Sequence, residues 1–375
     1  MRRGVVAACG GAALIAAVAL GWTDVRAERS FRRLLAQGDR ALAAQQTSVA
    51  VEAFSGAVAL KPRSMLPYLK RGDTYLHRQE WTAAERDLRQ ATALDPTAPQ
   101  PLERLGDVAL ATGRLPDAAD YYGASLAIED RAPRVLYKLA LTRYRQGDTA
   151  QALAALDASL LLDGSSADAH HLKGVVLAAT GHLDAARLAL EQAVKLAPAE
   201  ARPRISLADL HAAAGRDREE LVLRESAAAL DAASPAALMN VARAYAAKGR
   251  GDQAIAALTR AADQHPDSDA VQTALGRVWI DMADGSRDTA ALGHALALLR
   301  PIAARPDASS EALSLFGRAL LLDGSLTEAE RVLERATLQY PVAPDAFGLF
   351  AEAAARRGHR AAADLARRKQ AALSF

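Results

Sequence analysis

The residue types that most often carry catalysis or bind metals are sparse in this sequence of 375 residues. His170 and His171 are the clearest candidates for metal ligands, but adjacent residues of a helix point about 100° apart, a poor geometry for joint metal binding. Asp163-Gly164-Ser165 and Asp323-Gly324-Ser325 are typical of turns, because Asp and Ser hydrogen-bond to nearby backbone and Gly adopts positive φ. The sequence contains no Gly-rich phosphate loop, His-Glu-x-x-His helix or nucleophile elbow. We therefore predict no enzyme, no metal and no cofactor.

The composition excludes several further classes. Cys9 is the only cysteine, which rules out a disulfide framework and a Cys-based zinc module. The net charge is +2, which argues against binding along a nucleic-acid backbone. Hydrophobic residues make up 51% of the chain and aromatic residues only 5%, and the abundance of Ala and Leu favours helix over sheet. Length alone would suggest two or three globular domains.

A period of 34 residues, counted from Phe31, organises almost the whole chain. Position 15 of successive units falls on Gln45, Gln79, Gly113, Gly147, Gly181, Gly215 and Gly249. Position 20 is Ala in most units, and position 32 falls on Pro62, Pro96, Pro198 and Pro266. The eighth unit is longer, and the pattern resumes at Ser310 and again at Pro344, which gives ten units.

Each recurring residue has a physical role in a helical hairpin. Gly at position 15 supplies the left-handed backbone that ends a first helix. Small residues at positions 8 and 20, such as Gly72 and Ala84, let two antiparallel helices approach closely, and large residues such as Tyr68 and Leu88 fill the space between them. Pro at position 32 ends the second helix. Such hairpins bury their apolar faces only by stacking on one another.

The pattern resembles the tetratricopeptide repeat family, whose preferred residues occupy positions 4, 7, 8, 11, 20, 24, 27 and 32. The second unit has Tyr68, Arg71, Gly72, Tyr75, Ala84, Leu88, Ala91 and Pro96 at these positions. The seventh has Leu238, Val241, Ala242, Tyr245, Ala254, Leu258, Ala261 and Pro266. The resemblance implies an all-α fold, a right-handed α-solenoid of about ten helix-turn-helix repeats over residues 28–375, after an apolar N-terminal helix.

Three places depart from the repeat. Glu220 and Arg224 stand where Ala and a large apolar residue belong, which predicts either a seam near residues 216–232 or a local register shift that still buries Leu221 and Leu223. Residues 281–289 are expected to lengthen the turn inside the eighth unit. The last helix carries Arg360, Arg367, Arg368 and Lys369, and we interpret it as a polar cap that closes the stack.

The resemblance also places the candidate binding site. In this family the concave surface is lined mainly by first helices, at positions that include 5, 9 and 12. Here those positions hold acidic residues early in the chain, aromatic residues in the middle and basic residues late: Asp39, Asp73, Asp107, Tyr137, Tyr144, His171, Arg243, Arg277 and Arg318. We predict a bipolar groove that binds an extended peptide of a partner protein, with the peptide's basic part toward the Asp residues and its acidic part toward the Arg residues.

A simpler interpretation of the acidic residues also remains open. Lys70 lies three residues before Asp73 and Arg104 three residues before Asp107, so each Asp could form an ion pair along its own helix. A charged concave face could then serve solubility alone.

The composition of the first 27 residues is typical of a leader segment. Arg2 and Arg3 precede an apolar run over residues 5–22, which as a helix would span about 27 Å, close to the hydrocarbon thickness of a bilayer. One interpretation is a cleaved signal peptide whose site ends at Val25-Arg26-Ala27. The other is an uncleaved membrane anchor with Trp22 at the interface. Both place the remaining chain outside the cytoplasm, in the periplasm or on the inner membrane.

Together these features predict a non-catalytic scaffold that assembles other proteins in a bacterial cell envelope. One alternative is an accessory subunit of an envelope enzyme or of a secretion or polysaccharide-export complex. A second alternative, an RNA-binding helical-repeat protein, is disfavoured, because such proteins need a basic concave surface and the acidic row argues against one. We predict no nucleic-acid partner.

Overall fold

The structure is a computed structural model that describes residues 26–230 and 234–373. Within those two ranges it contains 20 α-helices and no β-strand. Consecutive helices pair into ten hairpins, as the sequence predicted. The chain divides into two compact units, one ending at Leu196 and the other beginning at Ala197.

Each unit contains five hairpins. The helices of unit 1 are α1 (26–43), α2 (Thr47–Leu60), α3 (Met65–His77), α4 (Trp81–Leu94), α5 (Pro99–Ala111), α6 (Leu115–Ile128), α7 (Pro133–Arg145), α8 (Thr149–Leu162), α9 (Ala167–Ala179) and α10 (Leu183–Leu196). The helices of unit 2 are α11 (Ala201–Ala213), α12 (Asp217–Leu230), α13 (Pro235–Ala247), α14 (Gly251–Gln264), α15 (Asp269–Ser286), α16 (Thr289–Ala304), α17 (Ser310–Asp323), α18 (Leu326–Ala336), α19 (Ala346–Arg356) and α20 (Arg360–Leu373).

In nine of the ten hairpins the turn has a left-handed residue at position 15, where the repeat predicted it. Gly113 has φ 75°, and the Arg114 N–H donates back to the carbonyl of Ala109 at 2.9 Å, which closes the end of α5. Gln45 and Gln79 take the same conformation, with φ of 59° and 60°. A residue with a Cβ is strained there, so the first two hairpins make the turn with a less suitable residue.

The two helices of a hairpin meet at small residues, as expected. A Cβ on Gly72 would lie 2.9 Å from the side chain of Leu88 and 3.5 Å from the carbonyl of Ala84. Leu88 and Ala84 are fully buried, whereas Tyr68 is only half-buried. The close approach therefore depends on the absence of a side chain at position 8.

The eighth hairpin differs from the prediction. Residues 281–289 do not form a longer turn, because α15 continues to Ser286 and α16 begins at Thr289. The first helix is thus 18 residues long, where its counterpart α13 has 13. Arg287, with φ 53°, supplies the left-handed residue that ends the longer helix. The inserted residues Asp281 and Asp284 consequently lie on a helix.

The Glu220–Arg224 departure is accommodated without a register shift. Glu220 keeps position 20 and is buried, with Arg224 Nε 2.8 Å from one carboxylate oxygen and Lys248 Nζ 2.7 Å from the other. Leu221 is buried but Leu223 is only half-buried, which contradicts the shifted alternative. The two compact units divide before α11, and the seam near residues 216–232, one of our two alternatives, stays a prediction. Ion pairing thus replaces the missing apolar contact.

The two ends of the chain can be compared with the sequence only in part. α20 buries Ala363 and Ala366 and leaves Arg360, Arg367 and Arg368 exposed, the pattern expected of a cap. Residues 1–25 of the leader, with the apolar run 5–22 and Cys9, lie outside the described residues. Among the residues described, no helix combines the length and apolar character that crossing a membrane requires.

Candidate functional site

The residues with catalytic potential have structural roles. His170 is half-buried, and its Nε2 lies 3.1 Å from the carbonyl oxygen of Gly164 in the preceding loop. The backbone N–H and hydroxyl of Ser165 both donate to Asp163, at 3.0 and 2.6 Å, and these bonds lower the pKa of that carboxyl. No group of His, Cys, Asp and Glu suited to a metal ion occurs in the part of the chain that the structure describes.

The first helices of neighbouring hairpins lie side by side within each unit. In unit 1, α3 contacts α5 and α7 contacts α9; in unit 2, α13 contacts α15 and α15 contacts α17. Residues at position 9 of successive hairpins therefore face the same surface of their unit. We call this face the first-helix surface of each unit, and it is where the sequence placed the candidate site.

On the first-helix surface of unit 1, ion pairs join each predicted Asp to the next hairpin. Each carboxylate, at position 9 of its unit, pairs with a base at position 6 of the next unit. The pairs are Asp39 with Lys70 at 2.7 Å, Asp73 with Arg104 at 2.9 Å, and Asp107 with Lys138 at 2.6 Å. The partners are 31 residues apart in every case, so the contacts repeat with the hairpins. We call this set the ion-pair ladder.

The ion-pair ladder changes the expected electrostatics of unit 1. The bases bridge between hairpins rather than along one helix, although Arg104 also reaches Asp107 on its own helix at 3.0 Å. Buried Glu103 joins the ladder through Lys138 at 2.7 Å and Arg134 at 3.1 Å. Four acids thus face four bases: Asp39, Asp73, Glu103 and Asp107 with Lys70, Arg104, Arg134 and Lys138. The acidic stretch predicted here is a neutral row of ion pairs.

Asp107 is the most highly connected carboxylate of the ladder. It accepts hydrogen bonds from Lys138 at 2.6 Å, from the hydroxyl of Tyr122 at 2.8 Å and from Arg104 at 3.0 Å. Tyr122 is fully buried, and burial beside Asp107 raises the pKa of its phenol. Burial also raises the pKa of Asp73, against the opposing effect of Arg104. The ladder is therefore anchored to the hydrophobic core at Asp107.

The predicted aromatic residues follow the ladder on α7 and α9. Tyr137 and Tyr144 are half-buried and pack against a core cluster that includes Ala140 and Leu156. His171 is also half-buried. The two tyrosines use part of each ring for packing and leave the remainder at the first-helix surface.

The predicted arginines lie on the first-helix surface of unit 2, and two of the three are ion-paired. Arg277 contacts Glu311 at 2.6 Å. Arg318 contacts Asp281 at 2.9 Å and Asp284 at 2.8 Å, both on the extended end of α15. Arg243 is exposed, and no acidic partner is found for it among the described residues. The positive charge of this surface is therefore available mainly at Arg243.

Beside Arg243 a cavity of about 680 Å³ lies between α13, α15 and α17. Met239, Ala242 and Ala246 give it an apolar wall, and Arg243 and Arg277 line it together with three acids. The acids are each paired with an arginine: Glu311 with Arg277, Asp269 with Arg305, and Asp281 with Arg318. The exposed guanidinium of Arg243 beside an apolar wall suits a side chain or short segment that carries a carboxylate.

The ion-pair partners of the candidate residues were not predicted from the sequence. Lys70, Arg104 and Lys138 recur at intervals of 34, all at position 6 of their units, and this recurrence was the available signal for the ladder. No comparable sequence signal indicated that Asp281 and Asp284 would hold Arg318, because they belong to the insertion that interrupts the repeat. The nine predicted residues fall in two groups, the Asp and aromatic residues in unit 1 and the Arg residues in unit 2.

Comparison with known proteins agrees with this architecture. The sequence matches the tetratricopeptide repeat family over residues 35–99, 69–133 and 137–201, and again over 221–278. No curated protein matches it. Three solved structures illustrate the similarity.

The first is a tetratricopeptide repeat protein from Parabacteroides merdae, with 14% identity and a TM-score of 0.53 over 67% of this chain and 99% of that one. The second is the C-terminal part of a repeat protein from Cytophaga hutchinsonii, with 16% identity and a TM-score of 0.51 over 65% of this chain and 99% of that one. The third is YrrB, described as having an unusual peptide-binding site, with 19% identity and a TM-score of 0.39 over 59% of this chain and 97% of that one. With its ten hairpins and its repeated match to the family, the chain belongs to the tetratricopeptide repeat family.

Proposed function

We propose that this chain is a non-catalytic scaffold that binds extended segments of other proteins on its first-helix surfaces. Proteins built from these repeats generally bind other proteins and do not catalyse reactions. The observation that carries the proposal is the cavity beside Arg243, where an exposed guanidinium without an acidic partner in the described chain adjoins an apolar wall. A partner segment with a carboxylate next to an apolar side chain fits these two features.

The ion-pair ladder refines the bipolar groove. A basic segment would have to displace Lys70, Arg104 or Lys138 before it could reach the carboxylates, so the ladder offers little affinity to it. We therefore assign an acidic partner residue to Arg243 in unit 2, because Arg277 is already paired with Glu311. In unit 1 we assign partner contacts to Tyr137, Tyr144 and His171, which follow the ladder.

The cellular place of the scaffold is proposed from the sequence of the leader. Arg2 and Arg3 followed by the apolar run 5–22 suit export to the periplasm or retention in the inner membrane. A scaffold at this location would assemble envelope proteins or serve as an accessory subunit of an envelope enzyme or a secretion or polysaccharide-export complex. RNA remains a disfavoured partner, because the ladder of unit 1 pairs every acid with a base and presents no continuous basic surface.

The proposal is tested first by crosslinking in the native host and mass spectrometry of the captured proteins, and then by calorimetric titration of a captured partner. Arg243→Glu should weaken binding at least tenfold and reduce its salt dependence, because a charge-assisted hydrogen bond contributes about 1.5–3 kcal/mol. Arg260→Glu is the matched control, since Arg260 is an exposed arginine of α14, outside the cavity. Equal affinity of both variants and the wild type would refute the assignment to Arg243.

The location is tested separately by cell fractionation and N-terminal sequencing. A mature chain that begins near Glu28 would exclude the anchor, and recovery of the intact chain from the membrane fraction would exclude cleavage. Recovery of the intact chain from the cytoplasm would refute both forms of the proposal.

A further inference from the structure

The outer face of α1 carries a row of arginines. Arg29, Arg33 and Arg40 are all exposed and are spaced by four and seven residues. At 3.6 residues per turn, these spacings place the three side chains within about 40° of one another around the helix axis. The opposite face buries Phe31 and Leu35 against α2. We call this row the arginine face of α1.

The acids of α1 are already engaged and do not neutralise the arginine face. Glu28 accepts hydrogen bonds from Lys61 and from Arg32, which lower the pKa of its carboxyl. Asp39 pairs with Lys70 of the next hairpin. No ion pair to Arg29, Arg33 or Arg40 is found within residues 26–230 and 234–373. The face is therefore a patch of uncompensated positive charge.

A polar cap on a helical stack does not require such a patch. The corresponding outer face of α20, at the other end of the chain, combines Ala361, Leu365 and Arg368, all exposed. Nearby Arg367 is paired with Asp364 at 3.0 Å. Arg360 and Arg368 of α20 likewise have no ion pair among the described residues, but they lie about 80° apart around the helix axis. Three unpaired arginines in one row are therefore a feature of α1 that the cap at α20 does not share.

The position of α1 in the chain indicates which kind of surface the arginine face contacts. The described part of α1 begins at residue 26, four residues after Trp22, which ends the apolar run. Four residues span at most about 14 Å, so a run that lies in a bilayer holds the start of α1 at the level of the headgroups. Anionic phospholipids carry phosphate groups at that level, and arginine binds phosphate through bidentate hydrogen bonds.

We propose that the arginine face of α1 binds the phosphate headgroups of an anionic membrane. This inference rests on the proposed membrane anchoring through residues 5–22. Its consequence is that α1 lies along the membrane surface, because its arginines extend over three turns of one helix face. Each arginine near an anionic surface strengthens the attachment about fivefold, so the three together contribute on the order of 100-fold.

The test uses the full chain with a fluorophore that reports its surroundings. The label is attached to the arginine face through Ala36→Cys, an exposed position between Arg33 and Arg40, in a Cys9→Ser background. A second protein carries the label at Ala371 of α20, which is also exposed, as the matched control. Both are mixed with phosphatidylcholine vesicles, with or without phosphatidylglycerol, and flotation of the vesicles measures membrane attachment independently.

We expect the fluorophore at Ala36→Cys to report a less polar environment on vesicles that contain phosphatidylglycerol. High salt should abolish this change in fluorescence. The triple variant Arg29→Gln, Arg33→Gln and Arg40→Gln should lower the ratio of bound to free α1 on the order of 100-fold. The double variant Arg360→Gln and Arg368→Gln on α20 should leave it unchanged.

Two results would overturn the inference. The first is a chain that floats with both vesicle types while the Ala36→Cys label reports no difference between them; anchoring would then stand without headgroup binding. The second is an equal loss of signal in the α20 variant, which would show an unspecific effect of charge. Flotation only with phosphatidylglycerol, dependent on the three arginines, would support the inference and refute the anchor.

Discussion

Gly106→Ala tests whether helix contact at position 8 sets the stability of a hairpin. A Cβ at this position would lie 2.5 Å from Cε1 and 2.6 Å from Cδ1 of Tyr122. Tyr122 is fully buried and donates to Asp107 at 2.8 Å, so its ring cannot move aside without losing that hydrogen bond. The substitution therefore forces a steric overlap that the ring can relieve only in part, and at the expense of its bond to the carboxylate.

The size of the effect follows from three contributions. Overpacking destabilises by about 1–3 kcal/mol and loss of a charge-assisted hydrogen bond by about 1.5–3 kcal/mol, whereas Ala in place of Gly favours the helix by about 1 kcal/mol. The net loss is expected to be about 2–4 kcal/mol, since the first two contributions partly replace each other. Stability in repeat proteins is largely local, so the loss should be concentrated in α5 and α6.

Amide hydrogen exchange is the appropriate measurement, because it reports local free energies of opening. Exchange in α5 and α6 should accelerate about 30- to 1,000-fold, with smaller changes in distant hairpins. Gly123→Ala on α6 is the matched control: Gly123 is exposed, a Cβ there meets nothing within 4 Å, and the helix should become more stable by about 1 kcal/mol. Slower exchange in Gly106→Ala than in the wild type would refute the reasoning.

Three further predictions concern turns and buried charges. Gln79→Gly should stabilise the second hairpin by about 1 kcal/mol, because it removes a side chain from a left-handed position, and a lower urea midpoint would contradict this. Asp107→Asn should lower the free energy of unfolding in urea more than Asp73→Asn does. Asp107 accepts three hydrogen bonds, whereas burial already favours the neutral form of Asp73. Equal losses would argue against the role of Asp107 as anchor. Burial alone would raise the pKa of Glu220, but the ion pairs with Arg224 and Lys248 hold that pKa below its ordinary value. Its contribution to stability should be complete above about pH 4.3 and disappear as the pH falls through the lower folded pKa. Glu220→Gln should therefore make unfolding less sensitive to acid, and an unchanged pH dependence would refute this.

The sequence alone determined the repeated architecture. A glycine or proline at a fixed position of each unit restricts the backbone locally, and a small residue such as Gly72 admits the facing helix whatever the rest of the chain does. These constraints act within a single hairpin of about 34 residues, so the period was sufficient to predict ten hairpins and the turns of all but the eighth, where the insertion interrupts the repeat. The same reasoning placed the nine candidate residues on first helices.

Only the tertiary structure decided which charges are available. Asp39, Asp73 and Asp107 read as an acidic row in the sequence, but each meets a base 31 residues later on the adjacent first helix. The insertion in α15 likewise supplies Asp281 and Asp284 to Arg318, while Arg243 keeps an exposed charge. Helix and turn preferences are local properties of a few residues, whereas the partner of a charged side chain depends on the distance between helices that come together only when the hairpins stack.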